Sequence, residues 1–200
     1  MISPLILPGV FEIYVGCMKS GKSRALINRL DELARVPNCQ IRVFKPETDK
    51  RNVGVFSRFG KLRLDCTRIP SKEPSRILDE IDESVDVIGI DEVNFFTRDI
   101  AEVVSYLTFQ KKHIIASGLD LNFRGEPFES TKELLPIATY VHKLTGVCEY
   151  PECGRRATRT QRLINGKPAP YGSDLIAIEG IGAEYQCRCI WHHEVPRNPN

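Results

Sequence analysis

The sequence predicts an α/β fold: a mostly parallel sheet flanked by helices, followed by a small cysteine-rich lobe. Three observations predict it. Short apolar runs of strand type alternate with helix-period segments over most of the chain. A glycine-bounded loop, Gly16-Cys-Met-Lys-Ser-Gly21-Lys22-Ser23, stands between the first strand-like run and the first helix-like one. Beyond Gly146, glycine, proline, cysteine and short hairpin-like runs replace the long periodic segments. The expected division is therefore 1–145 for the α/β domain and 146–200 for the lobe.

Each element has its own signal. "FEIYVG" (Phe11 to Gly16) reads as a buried strand. In "GKSRALINRLDELARV", Leu26, Leu30 and Leu33 fall on one helical face, with Ile27 and Ala34 beside it. "IRVFK" is a second strand, closed by Pro46. Glu47 to Pro70 is polar and basic, which predicts an irregular loop near the site. "SRILDEIDES" places Ile77, Leu78 and Ile81 at helical spacing, and "VDVIGIDE" is strand-like and ends in two acids. "IAEVVSYL" predicts a helix, "HIIASGL" a strand, "STKELLPIA" a short helix stopped near Pro136, and "YVHKLTGV" a further strand.

Composition narrows the function classes. With 42% hydrophobic and 27% charged residues in 200, the chain has material for a core. A formal net charge of +2 gives no general argument for nucleic acid or an acidic membrane. No uncharged apolar run reaches the about 18 residues a spanning helix needs. "MISPLILPGVFEIYV" lacks a basic segment and does not read as a signal peptide, so a cytoplasmic location is the expectation.

The loop matches G-x-x-x-x-G-K-[ST]. Glycine at its two ends lets the backbone curl until successive N–H groups point at phosphate oxygens. Gly16, Ser20, Gly21, Lys22 and Ser23 form the candidate phosphate-binding set. Lys22, read as an exposed residue at the helix start, brings charge to the β- and γ-phosphates, and the Ser23 hydroxyl can ligate Mg²⁺. "VIGIDEVNFF" supplies a partner: Asp91, at the end of an apolar strand, is the candidate second magnesium acid. Glu92 is placed to activate the attacking oxygen. That oxygen belongs to water in an ATPase and to a substrate hydroxyl in a kinase, and the loop alone leaves both open.

Cys148-x4-Cys153 and Cys189-x2-His192 are two pairs of soft ligands able to close a tetrahedral zinc site. Cys187 and His193 compete for places in the second pair. The lobe also carries Arg155, Arg156, Arg159 and Arg162, but aromatic residues do not interleave with them in sequence. A solvated basic face is the ordinary reading, and no nucleic-acid partner is expected.

The phosphate loop, "IDEVNFF", "GLDLNFRGEPF" and the C-terminal Cys/His cluster, in that order, resemble the thymidine kinase family of the cellular, zinc-containing type. "FKPETDKR" and "LTGVCEYPECGRRATRTQRL" are similar to further family segments, and the resemblance runs from about Phe11 to Pro196. It implies ATP-dependent, Mg²⁺-assisted transfer of the γ-phosphate to the 5′-hydroxyl of thymidine, and of deoxyuridine, in nucleoside salvage. It further implies a structural zinc, a homotetramer, feedback by thymidine triphosphate and no membrane partner.

By the same resemblance Glu92 is the general base and Arg51 steadies the transferring group. Met18, Phe95, Leu119, Phe123, Thr160, Ile178 and Tyr185 surround the nucleoside, Ile178 and Tyr185 of them on a lasso loop from Ser173 to Tyr185. Three departures stand out: "SRFG" (Ser57 to Gly60) where many members have Ser-His-Asp-Gly, Lys19 where an aromatic residue or asparagine is usual, and a first zinc pair, Cys148-x4-Cys153, stretched by two residues. The rival readings are a phosphate-loop ATPase or switch, and a zinc-containing nucleic-acid-binding protein.

Overall fold

The computed structural model describes residues 4–48, 55–56, 63–175 and 182–197. The chain runs β1 (Phe11–Gly16), α1 (Lys22–Ala34), β2 (Ile41–Pro46), β3 (Val55–Phe56), β4 (Arg63–Leu64), β5 (Thr67–Ile69), β6 (Val87–Ile90), α2 (Ile100–Phe109), β7 (His113–Gly118), α3 (Glu129–Ile137) and β8 (Tyr140–Leu144). Then come β9 (Gly146–Val147), β10 (Arg156–Ala157), β11 (Arg159–Ile164), β12 (Lys167–Pro168) and β13 (Glu184–Arg188). Six strands form one sheet in the order β5-β2-β6-β7-β1-β8, every neighbouring pair parallel. No helix among the described residues is long and apolar enough to cross a membrane.

The sheet is covered on both faces, so its central strand β6, Val-Ile-Gly-Ile, is apolar and buried at every position rather than alternating. Leu26, Ile27, Leu30 and Leu33 of α1 pack on one face against Val43, Val87 and Ile115. Each such side chain contributes about 1.5–3 kcal/mol relative to exposure. Ala34, expected beside them, is exposed. On the other face Ile88, Ile90, Ile114 and Ala116 meet Val103, Val104 and Leu107 of α2 and Leu134 of α3. A Cβ on Gly89 would lie 2.6 Å from Leu30 Cδ1, so glycine there lets α1 approach the sheet closely.

Three elements differ from the sequence expectation. "SRILDEIDES" forms a 3₁₀ helix over Pro74–Glu80, not an α-helix. Only Pro74 and Ile77 of it are buried, and Asp79, Glu80, Asp82 and Glu83 would oppose the dipole at an α-helical C-terminus. The irregular stretch from Glu47 to Pro70 contributes β5, an edge strand paired with β2. "YVHKLTGV" splits in two: β8 pairs with β1, whereas β9 turns away to pair with β10. The turn runs through Gly146, where a Cβ would lie 2.6 Å from Cys187 Sγ.

Parallel order places the C-terminal ends of β1, β6 and β7 side by side, through Val15↔Gly118 and Ile90↔Ala116. Ligands of open α/β sheets gather at that edge. Beyond it, β11 pairs antiparallel with β12 and β13. Thr160 stands opposite Cys187 and Arg162 opposite Tyr185, so these four share one face of the small sheet.

The far edge holds a buried charge cluster. Glu12 of β1 accepts from Arg29 Nη2 at 3.0 Å and pairs with His113 Nε2 at 2.8 Å. His113 Nδ1 accepts from Leu7 N, which assigns the ring proton to Nε2. Burial raises the Glu12 carboxyl, but the hydrogen bonds from His113 and Arg29 outweigh it and hold the group at about 2, against an ordinary 4.5. Folding thus favours the ionised form. The resulting stability, about 3 kcal/mol, is full above pH 4.5 and is lost as pH falls towards 2. Glu12→Gln is therefore expected to lower the urea midpoint clearly at pH 7 and much less at pH 3. An equal deficit at both pH values would show that the carboxylate charge contributes nothing.

Candidate functional site

The loop after β1 is shaped by glycine where the backbone demands it. Gly16 has φ 152 and a Cβ there would lie 2.3 Å from Leu144 O. Gly21 has φ 89 and precedes α1 with no side-chain cap, which leaves the first N–H groups of the helix open toward the loop. Lys22 was expected to be exposed. It is instead buried, its Nζ donating to Cys17 O at 2.7 Å across the loop. Burial lowers its pKa, opposed by the charges of Glu92, Cys17, Asp91 and Asp120. Ser20 Oγ is buried with no hydrogen-bond partner among the described residues. A cationic loop with an unmatched hydroxyl and an uncapped helix suits an anionic ligand.

Asp91 and Glu92 leave β6 beside this loop. Asp91 is buried, and its Oδ1 accepts from Ser23 Oγ at 3.3 Å and from Ser117 Oγ of β7. Burial, with Glu92's charge adding to it, pushes its carboxyl up to about 6. A buried carboxylate bonded to a loop hydroxyl fits a divalent cation. Glu92 adopts the left-handed conformation (φ 52, ψ 40) and opens a 3₁₀ turn, Val93–Phe95. That conformation is uncommon for a residue other than glycine and costs on the order of 1 kcal/mol.

Three neighbours escaped the sequence reading: Asn94, Thr131 and Ser117. Asn94 Oδ1 accepts from Leu119 N, and Thr131 Oγ1 donates to Leu119 O, both at 2.8 Å. They fix both main-chain groups of an expected pocket residue. An asparagine inside the apolar run "VNFF" was the available signal. Ser117, the second hydroxyl on Asp91, had none beyond its place at a strand end. Phe95 is half-buried and meets Phe128 edge-on at 6.4 Å between ring centroids.

The small sheet closes on the phosphate loop residue by residue. Cys17 Sγ donates to Ala157 O at 3.4 Å. Met18 N donates to Thr160 Oγ1 at 3.0 Å, and Met18 O accepts from Cys187 Sγ at 2.8 Å. Lys19, left-handed at φ 58, pairs with Glu149 at 2.9 Å, and Glu149 also accepts from Cys187 N. Half-buried Met18 thus meets buried Thr160; Thr160 and half-buried Tyr185 share a sheet face with Arg162, whose guanidinium lies over the buried Phe123 ring. Arg51, Ile178 and the segment Ser57 to Gly60 lie outside the described residues.

Cys148, Cys153, Cys189 and His192 form a metal-binding cluster, all four ligand atoms lying within 4.8 Å of one another. Cys189 Sγ to His192 Nδ1 is 3.5 Å, Cys148 Sγ to His192 Nδ1 3.7 Å, and Cys153 Sγ to Cys189 Sγ 3.9 Å. Zinc bonds of about 2.3 Å to sulfur and about 2.0 Å to nitrogen put tetrahedral ligand atoms about 3.5–3.8 Å apart, so the set fits a structural zinc. The two competitors are engaged elsewhere. Cys187 holds Met18, and His193 Nε2 donates to Phe123 O at 2.9 Å.

A family model described as thymidine kinase matches residues 9–193. Among solved structures, the chain is similar to domain III of the replication initiation protein DnaA from Thermotoga maritima, with 13% identity and a TM-score of 0.40. The match covers 70% of this chain and 56% of that one. It is similar also to the Pif1 helicase from Candida albicans, with 14% identity and a TM-score of 0.40, covering 68% of this chain and 36% of the helicase. The chain thus spans little more than half of one of these and about a third of the other. At such values neither structure carries an argument.

Metal analysis tests the ligand set. Cys153→Ser is expected to lose the bound metal, because three ligands cannot close a structural site. Cys187→Ser is expected to keep it. The opposite pattern would place Cys187 in the cluster.

Proposed function

The chain belongs to the thymidine kinase family, and from that premise we propose that it transfers the γ-phosphate of ATP to the 5′-hydroxyl of thymidine, and of deoxyuridine, in deoxynucleoside salvage. The observation that carries the proposal is the meeting of Lys22, Ser23, Asp91 and Glu92 at one sheet edge, with Met18, Thr160 and Phe123 beside them. In this reading the phosphate chemistry and the side chains assigned to the nucleoside base stand side by side.

In this reading the phosphate loop binds ATP through its N–H groups, Ser20 and Lys22. A magnesium ion carried with ATP would be held by Ser23 and Asp91, and would neutralise charge on the transferring phosphoryl group. Glu92 accepts the proton of the 5′-hydroxyl as the O–P bond forms. Its charge acts on both Lys22 and Asp91, which supports a position at the mouth of the loop. Phe95, Leu119 and Phe123 wall the base, with Met18 and Thr160 between base and phosphate. Tyr185 closes the site from β13. Arg51 and Ile178 complete the proposed set, as a phosphate-steadying cation and a wall of the covering segment. The metal cluster serves as a clamp on the lobe and takes no part in the chemistry.

The proposal extends to the domain division 1–145 and 146–200, a homotetramer, feedback by thymidine triphosphate and a cytoplasmic setting. Nucleic acid has no role in it.

A nucleoside panel with ATP and Mg²⁺ tests the activity directly. Thymidine and deoxyuridine monophosphates are the expected products. ADP release indifferent to any nucleoside would point to hydrolysis instead.

Glu92→Gln keeps the shape of the side chain but cannot take a proton. Its kcat for thymidine is expected to fall about 10²–10⁴-fold with thymidine affinity nearly retained. Turnover within about threefold of the parent, far less than a lost base costs, would assign the proton to another acceptor.

A further inference from the structure

Arg162 is the largest fully buried side chain among the described residues, at 1% exposure. Its guanidinium lies 3.8 Å from the centroid of the Phe123 ring, and its Nη1 donates to Asp174 O at 2.6 Å. Among the described residues no carboxylate pairs with it, and its Nε has no hydrogen-bond partner. Arg124, the next residue after Phe123, donates from Nη2 to Ser173 O at 2.9 Å. Its guanidinium stands 4.6 Å over the Tyr171 ring and 5.5 Å from Phe123. The Tyr171 hydroxyl in turn donates to Glu126 Oε1.

Two arginines thus hold the carbonyls of two successive residues, Ser173 and Asp174, and both lie against one aromatic ring. A buried cation without a carboxylate is an expensive way to fill a core, since the desolvation cost of a charge is several kcal/mol. An apolar side chain would fill the same space at lower cost. What arginine adds is direction: a planar fork fixes a carbonyl, while its face fixes a ring. The ring is Phe123, a wall of the proposed base pocket. Thr160 and Tyr185 share the strand face from which Arg162 projects.

We propose that Arg124 and Arg162 are positioning residues for the nucleoside. Together they fix the Phe123 ring and the main chain at Ser173 and Asp174, and so set nucleoside affinity without touching the phosphoryl group. This rests on the nucleoside-kinase reading of the site.

The test compares Arg162→Met, Arg162→Lys and Arg124→Gln with the parent. Removing a buried charged hydrogen bond should raise KM for thymidine about tenfold or more in Arg162→Met and Arg124→Gln. By contrast kcat and KM for ATP should stay within about threefold. Arg162→Lys keeps the charge but not the fork, and should recover only part of the loss. Thymidine KM unmoved in Arg124→Gln, or ATP KM rising in step with it, would overturn the proposal. If Arg162→Met fails to fold, the less deeply buried Arg124→Gln and the conservative Arg162→Lys carry the test. Hydrogen exchange at residues 171–175 gives a readout that needs no activity: the variants should exchange faster there, and unchanged rates overturn the clamp. A parent enzyme inert toward every nucleoside would sink the functional reading alone, and the exchange measurement would still decide the clamp.

Discussion

The two hydrogen bonds on the main chain of Met18 are the constraint from which the site takes its shape. Its N–H goes to Thr160 on β11 and its carbonyl receives Cys187 from β13. A phosphate loop ordinarily hangs between its own strand and helix. Here its middle is also sewn to a second sheet, and Cys17 and Lys19 add one stitch each. The lobe that carries this sheet has little core of its own: Cys148, Ala157, Cys187 and Cys189 form a small buried cluster, closed by Cys17 of the loop itself. Such a lobe takes much of its stability from a bound metal. The loop therefore inherits its geometry partly from a metal-binding cluster that lies outside the loop.

The same edge concentrates charge in a dry setting. Lys22 is buried with Asp91 and Glu92 close by, and burial disfavours the charged forms of Lys22 and Asp91. The protein tolerates this at the site and does the reverse at the opposite edge of the sheet. There Glu12, Arg29 and His113 satisfy one another, and the carboxylate is held strongly ionised. One end of β1 is electrostatically settled and the other is left wanting a ligand.

What the sequence made legible followed from residue type and spacing. Gly16 and Gly21 announce a strand-to-helix loop with positive-φ turns, and the structure has both turns and the helix starting at Lys22. The Cys148, Cys153, Cys189 and His192 set was readable because soft ligands in two close pairs have few other uses. The parallel sheet followed from the alternation of apolar runs. What stayed hidden depended on side-chain direction across distant elements. Nothing in "GKS" says that Lys22 folds back onto Cys17 O, and nothing in "HIIASG" says that the last serine reaches Asp91. The 3₁₀ helix at Pro74 looked α-helical because apolar spacing alone does not register the acids after it. Arg162 read as one of several surface arginines, since only the pairing of β11 with β13 turns it inward.

With the proton-accepting role proposed for it, Glu92 is held by two unrelated demands, and together they narrow what mutation can do there. Its left-handed backbone excludes β-branched residues and penalises most others. Glycine, asparagine and aspartate would sit in the turn comfortably, yet two of them carry no carboxylate and the third is a methylene short. Glutamine preserves the length but neither relieves the strain nor takes a proton. No single replacement satisfies both turn and chemistry, so a random change at this codon leads downhill on at least one axis. The position is a dead end for gradual drift: the route to a different base would have to begin elsewhere in the site.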